Sequence, residues 1–288
     1  MHHFDFTRQG MDGLSLYFQG WEPEDSPVAV VCLVHGLGEH SGRYAHVAAA
    51  LNEAGYALLG FDLRGHGKSG GARGHSPTCD AMLDDVDQLL AEAAARYPER
   101  PRFLYGHSLG GGLVLWHALQ CCSPAGGQSP RDVAGVIATG PTLRTATRPP
   151  GWKVAVGKVT YSLLPAMSMS NGLDRSALSR DPQVVEQYNS DPLVHDRVSA
   201  RLGMDILRNG EASLARATEF PVPLLLMHGA ADRITSPGAS QEFARSLDGK
   251  CTLKVWDGLY HEIHNEPEKQ EVLETMIRWM DGRRSGGA

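Results

Sequence analysis

Residues 103–115 read Phe-Leu-Tyr-Gly-His-Ser-Leu-Gly-Gly-Gly-Leu-Val-Leu, which places the pattern Gly-x-Ser-x-Gly between two apolar runs. The first run predicts a buried strand, and the second, with apolar residues at helical spacing, predicts a helix. A serine at this junction occupies a sharp turn, and the small residues two positions to either side let strand and helix approach closely. The stretch therefore predicts a nucleophile elbow that presents Ser108 Oγ above a sheet. The alternative is an ordinary glycine-rich turn with a surface serine.

The composition is that of an ordinary globular protein, with 288 residues of which 42% are hydrophobic and 21% charged. This length suits one large α/β domain, or one domain with an insert. The net charge of -6 comes without a block of like charges, so neither nucleic acid nor an anionic membrane is predicted as a partner. No secretory signal pattern and no apolar run of transmembrane length is present, which predicts a cytoplasmic protein with peripheral membrane contact at most.

The chain contains five cysteines, and none of them forms a Cys-x-x-Cys pair: Cys32, Cys79, Cys121, Cys122 and Cys251. An odd number of cysteines cannot all be paired within one chain. Reduced thiols in a cytosolic protein are therefore favoured over a disulfide framework.

Apolar, strand-like runs alternate with amphipathic helical segments along most of the chain. Residues 28–34 are continuously apolar and rich in β-branched side chains, as in a strand buried on both faces of a parallel sheet. Residues 14–21 alternate and are aromatic, which predicts an edge strand. Further strands are predicted at residues 56–61, 133–139, 222–229 and 251–256. The alternation predicts an α/β fold with a mostly parallel central sheet flanked by helices.

The alternation stops between Arg144 and Phe220. We expect a core formed by residues 1–143 and 221–288, with an inserted helical cap (lid) at residues 144–220. Apolar side chains without a strand period occur in the insert: Trp152, Val154, Val156, Val159, Leu163, Leu164, Met167 and Met169. They could accept a fatty chain, although for any one of them packing of the cap against the core is favoured. Contact with a membrane or micelle would be peripheral and through this cap.

Two other motifs resemble ligand sites but lack the required spacing. Gly-Lys-Ser at residues 67–69 resembles a phosphate-binding P-loop, but Asp62 stands where that motif needs its first glycine, and its charge would oppose a triphosphate. His-Glu-Ile-His at residues 261–264 resembles a zinc-protease motif, but that motif requires two residues between Glu and the second His. No metal and no cofactor are therefore predicted.

A serine hydroxyl needs a base within hydrogen-bond reach, and that base needs a partner that fixes its tautomer. Along the chain Ser108 is followed by Asp232 and then by His261, which is the order found in α/β-hydrolases. Asp232 and His261 each follow a predicted strand, and parallel strands bring these positions to the sheet edge that carries the elbow. These three residues are the predicted catalytic triad. The residue pattern alone does not choose between His261 and His264 as the base.

The oxyanion of the tetrahedral intermediate needs backbone donors beside the nucleophile. We expect one from the N–H of Leu109, directly after Ser108, and the other from the N–H of Leu37. Glycines on both sides of Leu37 let that backbone come close to a substrate.

At these positions the chain closely resembles the monoacylglycerol lipases of the α/β-hydrolase superfamily. The matching stretches are residues 35–44, 62–69, 106–111, 178–180, 188–193, 229–233 and 260–264. The most specific match, Tyr-Asn-Ser-Asp-Pro-Leu, lies in the predicted cap, the region that differs most between hydrolase families. The resemblance implies these catalytic and oxyanion-hole residues: Ser108, Asp232, His261, Leu37 and Leu109. It also implies that His261 rather than His264 is the base.

In that family, groups that match Glu39, Arg43, His107 and Tyr188 line a polar pocket for the glycerol end of the substrate. Such a pocket selects a monoacylglycerol, with two free hydroxyls, over di- and triacylglycerols, which lack those hydroxyls. The implied reaction cleaves monoacylglycerols to glycerol and free fatty acid through an acyl-enzyme intermediate. A broader carboxylesterase or lysophospholipase with the same triad is the alternative. A protein that only binds an apolar ligand is a third hypothesis, against which the intact triad argues.

Overall fold

The computed structural model describes residues 1–121, 133–147 and 150–284. The expectations stated for the side chains of Cys121, Cys122 and Val154 fall outside the described residues. The strands in chain order are β1 His2–Gln9, β2 Ser15–Glu22, β3 Ala29–Val34, β4 Tyr56–Phe61, β5 Arg102–His107, β6 Gly135–Thr139, β7 Ser168–Ser170, β8 Arg197–Ser199, β9 Leu224–Gly229 and β10 Cys251–Trp256. The α-helices are α1 Ala45–Glu53, α2 Cys79–Arg96, α3 Leu109–Cys121, α4 Gly151–Leu163, α5 Pro182–Ser190, α6 Ala200–Ala215, α7 Pro237–Arg245 and α8 Lys269–Arg284.

Within the described residues, eight strands form one sheet in the order β1-β2-β4-β3-β5-β6-β9-β10. The strands from β4 to β10 in this order run parallel to one another, whereas β2 pairs antiparallel with both β4 and β1. This topology confirms the predicted α/β fold with a mostly parallel central sheet. The loops that follow the parallel strands therefore meet at one edge of the sheet.

The predicted edge position of residues 14–21 is wrong. These residues form most of β2, and β1 pairs with β2 along its whole length. Phe6 of β1 stacks on Phe18 of β2 with ring centroids 5.3 Å apart. The alternation of Phe4 and Phe6 with polar residues is the signal for β1 that the sequence analysis did not use.

Helices cover both faces of the sheet. In β3, Val30 and Cys32 enter a core shared with α2, α3 and α7, whereas Val31 and Leu33 enter a second core shared with α1 and α8. All four side chains are fully buried. A strand buried on both faces needs apolar side chains at every position, which is why residues 28–34 show no alternation.

Between β6 and β9 the chain leaves the sheet and forms α4, β7, α5, β8 and α6. The strands β7 and β8 pair antiparallel as a small second sheet, which the sequence analysis did not predict. We call residues 144–220 the cap segment, and its division from the core stays a prediction. In the part of the chain that the structure describes, no helix is long and apolar enough to cross a membrane.

Apolar side chains of the cap segment are exposed, so the favoured expectation that they pack against the core is wrong for them. Seven lie between 43% and 74% exposed: Trp152, Val156, Val159, Leu163, Leu164, Met167 and Met169. The first four recur at helical spacing along one face of α4. Gly157, on another face of α4, packs against α6, because a Cβ there would lie 2.9 Å from Met204 Sδ. The cap segment therefore presents an apolar stripe to solvent.

Three of the cysteines are described as free thiols: Cys32 in the core, and Cys79 and Cys251 partly buried. Burial raises the pKa of each thiol to about 12. These thiols are therefore protonated at neutral pH and weak nucleophiles.

Candidate active site

The backbone at Ser108 is strained. Ser108 lies between β5 and α3 with a φ of 54°, in the left-handed region that residues other than glycine rarely occupy. A Cβ atom at Gly106 would lie 2.3 Å from the carbonyl oxygen of Gly110, and one at Gly110 would lie 2.0 Å from the carbonyl oxygen of Val34. Only glycine fits at these two positions, so the Gly-x-Ser-x-Gly spacing reflects direct contact between backbones. This is the geometry of a nucleophile elbow.

The loop after β9 places Asp232 against His261. The Nδ1 of His261 donates to Asp232 Oδ2 at 2.7 Å. Asp232 Oδ1 accepts from the N–H groups of Ile234 at 2.7 Å and Thr235 at 3.0 Å. The following turn thus holds the carboxylate in place, and the carboxylate fixes the imidazole with its proton on Nδ1.

Two more side chains, neither of them predicted from the sequence, form hydrogen bonds with the same carboxylate. His228 Nε2 lies 3.0 Å and Thr235 Oγ1 lies 2.8 Å from Asp232 Oδ2. His228 Nδ1 is in turn 2.8 Å from Ser240 Oγ. The available signal was a histidine at the carboxyl end of an otherwise apolar strand, where sites of α/β proteins form.

The electrostatics of the pair favour an ionised carboxylate and a basic imidazole. Burial alone would raise the pKa of Asp232, but the charge of His261 and hydrogen bonds from His228 and His261 outweigh it and lower that pKa. Burial likewise opposes the charged imidazole, but Asp232 raises the pKa of His261 above its ordinary value. A more basic imidazole is better able to accept the proton of a serine hydroxyl.

His264 lies in a different environment. Its side chain is fully buried and stacks on the Tyr44 ring with centroids 4.9 Å apart. Among the described residues, neither of its ring nitrogens has a hydrogen-bond partner. Burial, followed by the charge of His107, lowers the pKa of His264 well below the ordinary value. Because no carboxylate orients this ring, the geometry favours His261 as the base.

His261 and Ser108 both lie beside the carboxyl end of β6. The Ser108 N–H donates to the carbonyl of Thr139 at 2.9 Å. The next residue, Gly140, lies so near His261 that a Cβ there would be 3.1 Å from Nδ1. No hydrogen bond joins Ser108 Oγ to the His261 ring in the described structure. In enzymes without substrate such bonds are often long and tighten when substrate binds.

The turn at residues 35–38 packs against the elbow. A Cβ at Gly36 would lie 3.2 Å from Ser108 Cβ. The N–H of Leu37 donates to no group in the described part of the chain. Leu109 is the first residue of α3, where N–H groups have no partner within the helix. Both N–H groups are therefore free of acceptors in the described part of the chain, and their role in an oxyanion hole stays a prediction.

The residues predicted for a glycerol pocket lie around this turn. Arg43 forms an ion pair with Glu39, and its guanidinium lies 4.7 Å from the centroid of the Tyr188 ring. The Tyr188 side chain is buried, and its hydroxyl makes no hydrogen bond to any residue that the structure describes. A Cβ at Gly38 would lie 3.4 Å from that hydroxyl oxygen. Tyr188 thus places a hydroxyl group of the cap segment beside the turn at residues 35–38, without a hydrogen-bond partner among the described residues.

His107, the fourth of these residues, links the elbow to its neighbours. Its Nδ1 lies 3.0 Å from Thr139 Oγ1, and its ring centroid lies 4.8 Å from that of His261. Burial, followed by the charge of His261, lowers the pKa of His107 to about 3. His107 is therefore neutral at physiological pH and adds no positive charge beside the candidate base.

A narrow, mostly apolar groove begins beside the elbow, between α3 and α6, and has a cavity volume of about 20 Å³. Its apolar lining follows successive turns of the two helices: Leu109, Leu113 and Trp116 on α3, and Leu202 and Ile206 on α6. From Leu109 to Trp116 the helix advances about 10 Å along its axis. This lining has the apolar chemistry that a fatty acyl chain requires.

Known proteins are similar to this chain over most of its length. The family described as serine aminopeptidase, S33, matches residues 25–268. A monoacylglycerol lipase of Mycolicibacterium smegmatis is 36% identical over 273 residues, covering 94% of this chain and 94% of that protein. An uncharacterized abhydrolase domain-containing protein of Dictyostelium discoideum is 39% identical over 274 residues, covering 94% of this chain but 28% of that much longer protein.

A solved structure agrees with the sequence comparison. The crystal structure of Paleococcus ferrophilus monoacylglycerol lipase superposes with a TM-score of 0.83 at 38% sequence identity. The superposition covers 93% of this chain and 99% of that one. The chain therefore belongs to the serine aminopeptidase S33 family of α/β-hydrolases, is a member of its monoacylglycerol lipase group, and is a carboxylic ester hydrolase.

Proposed function

We propose that the chain cleaves monoacylglycerols to glycerol and free fatty acid through an acyl-enzyme intermediate on Ser108. The observation that carries this proposal is the hydrogen bond between Asp232 and His261, together with the strained backbone at Ser108. The polar cluster of Glu39, Arg43 and Tyr188 and the apolar lining between α3 and α6 support the choice of substrate. A monoacylglycerol has the complementary form, because it carries two free hydroxyls at one end and one long apolar chain at the other.

The reaction runs in two halves. His261 Nε2 takes the proton of Ser108 as its Oγ attacks the ester carbonyl, and the N–H groups of Leu37 and Leu109 stabilise the oxyanion. The intermediate expels the glycerol oxygen, which receives the proton from His261, while the acyl group stays on Ser108. Water then attacks the acyl group and gives a proton to His261. Collapse releases the fatty acid and returns that proton to Ser108, and Asp232 stabilises the imidazolium throughout.

The two ends of the substrate bind in different surroundings. We assign the glycerol end to Tyr188 and His107, with Glu39 and Arg43 beside them. The Tyr188 hydroxyl, which has no partner among the described residues, can bond a substrate hydroxyl. A diacylglycerol has one free hydroxyl and a triacylglycerol none, so polar groups at this end of the site lose partners, which costs binding energy. The groove between α3 and α6 takes the acyl chain, whose burial is favourable in proportion to its apolar area.

We assign to the cap segment a second role, contact with the lipid surface that holds the substrate. The exposed apolar face of α4 ends at Leu163, which is 74% exposed and is followed by Leu164 at 57%. An apolar helix face that lies against a bilayer or micelle is stabilised by the apolar area it buries there. The net charge of -6 offers no attraction to anionic lipids, so this contact depends on apolar side chains.

The test is to compare glycerol monoesters with di- and triacylglycerols of the same chain length, using the purified protein and Ser108→Ala as the inactive control. We expect the monoester to be hydrolysed fastest, and turnover of the triester at an equal or higher rate would overturn the assignment. A broader carboxylesterase or lysophospholipase would instead act faster on short nitrophenyl esters or lysophospholipids at matched concentration. Covalent labelling by a fluorophosphonate, absent in Ser108→Ala, tests the nucleophile separately.

A further inference from the structure

Glu262 follows the candidate base directly and is buried. Its carboxylate receives two hydrogen bonds from the Arg43 guanidinium, from Nη1 to Oε1 and from Nη2 to Oε2, both of 2.7 Å. A third comes from the side-chain amide of Asn265 at 2.7 Å. Burial would raise the pKa of Glu262, but Arg43 outweighs burial and lowers it, so the carboxylate is ionised.

Arg43 is also connected, through Glu39, to the turn at residues 35–38 that contains Leu37. Arg43 Nη1 donates to Glu39 Oε2 as well as to Glu262. Glu39 Oε1 accepts from the Gly36 N–H at 2.6 Å and from the Tyr44 hydroxyl at 2.8 Å. Gly36 immediately precedes Leu37, whose N–H we assign to the oxyanion hole. One buried guanidinium therefore connects the turn that binds the oxyanion with the loop that carries the base.

A buried chain of two carboxylates and one guanidinium is costly to desolvate, so it contributes little net stability. Its value lies in geometry, because the planar guanidinium fork bonds a carboxylate only in a narrow range of orientations. In this structure the Arg43 guanidinium holds the carboxylate of Glu262, the residue that follows His261. Through Glu39, the same guanidinium also holds the backbone N–H of Gly36, the residue that precedes Leu37.

We infer that Glu262, through Arg43 and Glu39, is a positioning residue that sets the spacing between the oxyanion hole and the catalytic base. This inference rests on the proposed ester hydrolysis but does not depend on glycerol as the leaving group. A residue that only binds glycerol affects glycerol esters, whereas one that spaces the catalytic groups affects every ester equally. The two roles are therefore separable by substrate.

The experiment measures kcat and KM of Glu262→Gln on a monoacylglycerol and on nitrophenyl butyrate, which has no glycerol. Glutamine keeps the size of the side chain and removes the charge that holds the fork. We expect kcat to fall by a similar factor on both esters, about tenfold to a hundredfold, with KM nearly unchanged, because small misplacements of catalytic groups have effects of this size. The rate of fluorophosphonate labelling should fall in parallel.

The matched control is Glu242→Gln, which removes one carboxylate from a surface ion pair with Arg144 and should leave both rates at the wild-type level. Unchanged kcat on nitrophenyl butyrate with a raised KM for the monoacylglycerol would overturn the inference in favour of glycerol binding. Wild-type rates on both esters would also overturn it. If the wild-type protein does not prefer monoesters to triesters, the proposed substrate is refuted. The comparison of Glu262→Gln with wild type on nitrophenyl butyrate still tests the positioning role in that case.

A second variant covers the case in which Glu262→Gln does not fold, as judged by its unfolding transition. Arg43→Lys keeps the positive charge but lacks the fork, so it should give the same proportional loss of kcat on both esters. Full activity of Arg43→Lys on nitrophenyl butyrate would contradict a positioning role.

Discussion

The Nδ1 of His261 lies 2.7 Å from the Oδ2 of Asp232, although the two residues are 29 positions apart along the chain, with α7 and β10 between them. This contact distinguishes His261 from His264, which has no hydrogen-bond partner at either ring nitrogen among the described residues. A histidine whose Nδ1 proton is held by a carboxylate presents Nε2 as the acceptor, as a general base requires.

The choice of base is testable by comparing two alanine variants. We expect His261→Ala to abolish turnover, because it removes the imidazole that Asp232 orients. His264→Ala should keep most of the turnover of correctly folded protein, with some loss of stability because the ring stacks on Tyr44. Steady-state rates with a soluble ester, together with the midpoint of unfolding, decide the matter. If folded His264→Ala were inactive and His261→Ala remained active, the assignment of His261 as the base would be refuted.

The pH dependence of catalysis should reflect the raised pKa of His261. Because only the neutral imidazole can accept a proton, kcat/KM should fall as pH drops through a value above about 6.5, the ordinary histidine pKa. Asp232→Asn removes the charge that raises this pKa, while burial still lowers it. The acid limb of the profile should therefore move to lower pH, and kcat should fall about 10⁴-fold, as for loss of the orienting carboxylate in other triads. An acid limb that stays in place or moves to higher pH would show that Asp232 does not set the pKa.

The glycine requirement at the elbow predicts a stability difference between two Gly→Ala variants. Gly110→Ala puts a Cβ 2.0 Å from the carbonyl oxygen of Val34, so we expect the free energy of unfolding to fall by about 2 kcal/mol or more. Gly203→Ala is the control, because in α6 a Cβ meets only Val198, at 3.6 Å. This variant should raise the free energy of unfolding by about 0.5–1 kcal/mol, since alanine favours helix. Denaturant unfolding measures both, and a stable Gly110→Ala would contradict the close contact between the backbones.

Contact of the cap segment with lipid predicts an effect of Leu163→Ser on membrane partitioning. The partition coefficient into phosphatidylcholine vesicles, measured by sedimentation, should fall about tenfold, the amount expected when one leucine is no longer buried. Met11→Ser is the matched control, because Met11 is 85% exposed but lies between β1 and β2, outside the cap segment. Equal partitioning of Leu163→Ser and wild type would exclude this face as the contact.

Tyr188→Phe tests the glycerol end of the pocket. It removes one hydroxyl that has no partner among the described residues, so stability should change little. We expect kcat/KM for a monoacylglycerol to fall about tenfold, the value of one hydrogen bond made to the substrate. The loss on nitrophenyl butyrate should be much smaller, and an equal loss on both esters would assign Tyr188 a role other than glycerol recognition.

The local sequence pattern was enough to predict those elements whose formation depends on residues close together along the chain. The apolar run at 28–34 predicted a strand buried on both faces, because each of its side chains had to meet a core. The elbow at Ser108 was predictable because its steric requirement acts over two residues to either side. The order of Ser108, Asp232 and His261 identified a hydrolase, since parallel strands direct their following loops to one edge.

The sequence by itself thus determined the elbow, the reaction class and the strands other than β1, β7 and β8, whereas the tertiary structure decided which side chains meet. Arg43 and Glu262 are 219 residues apart, and His228 joins Asp232 only after a turn folds back on β9. The outward direction of Leu163 likewise depends on the packing of α4 against α6. Periodicity shows that a helix has an apolar face but not whether that face meets protein, lipid or water, because that depends on what the rest of the chain places beside it.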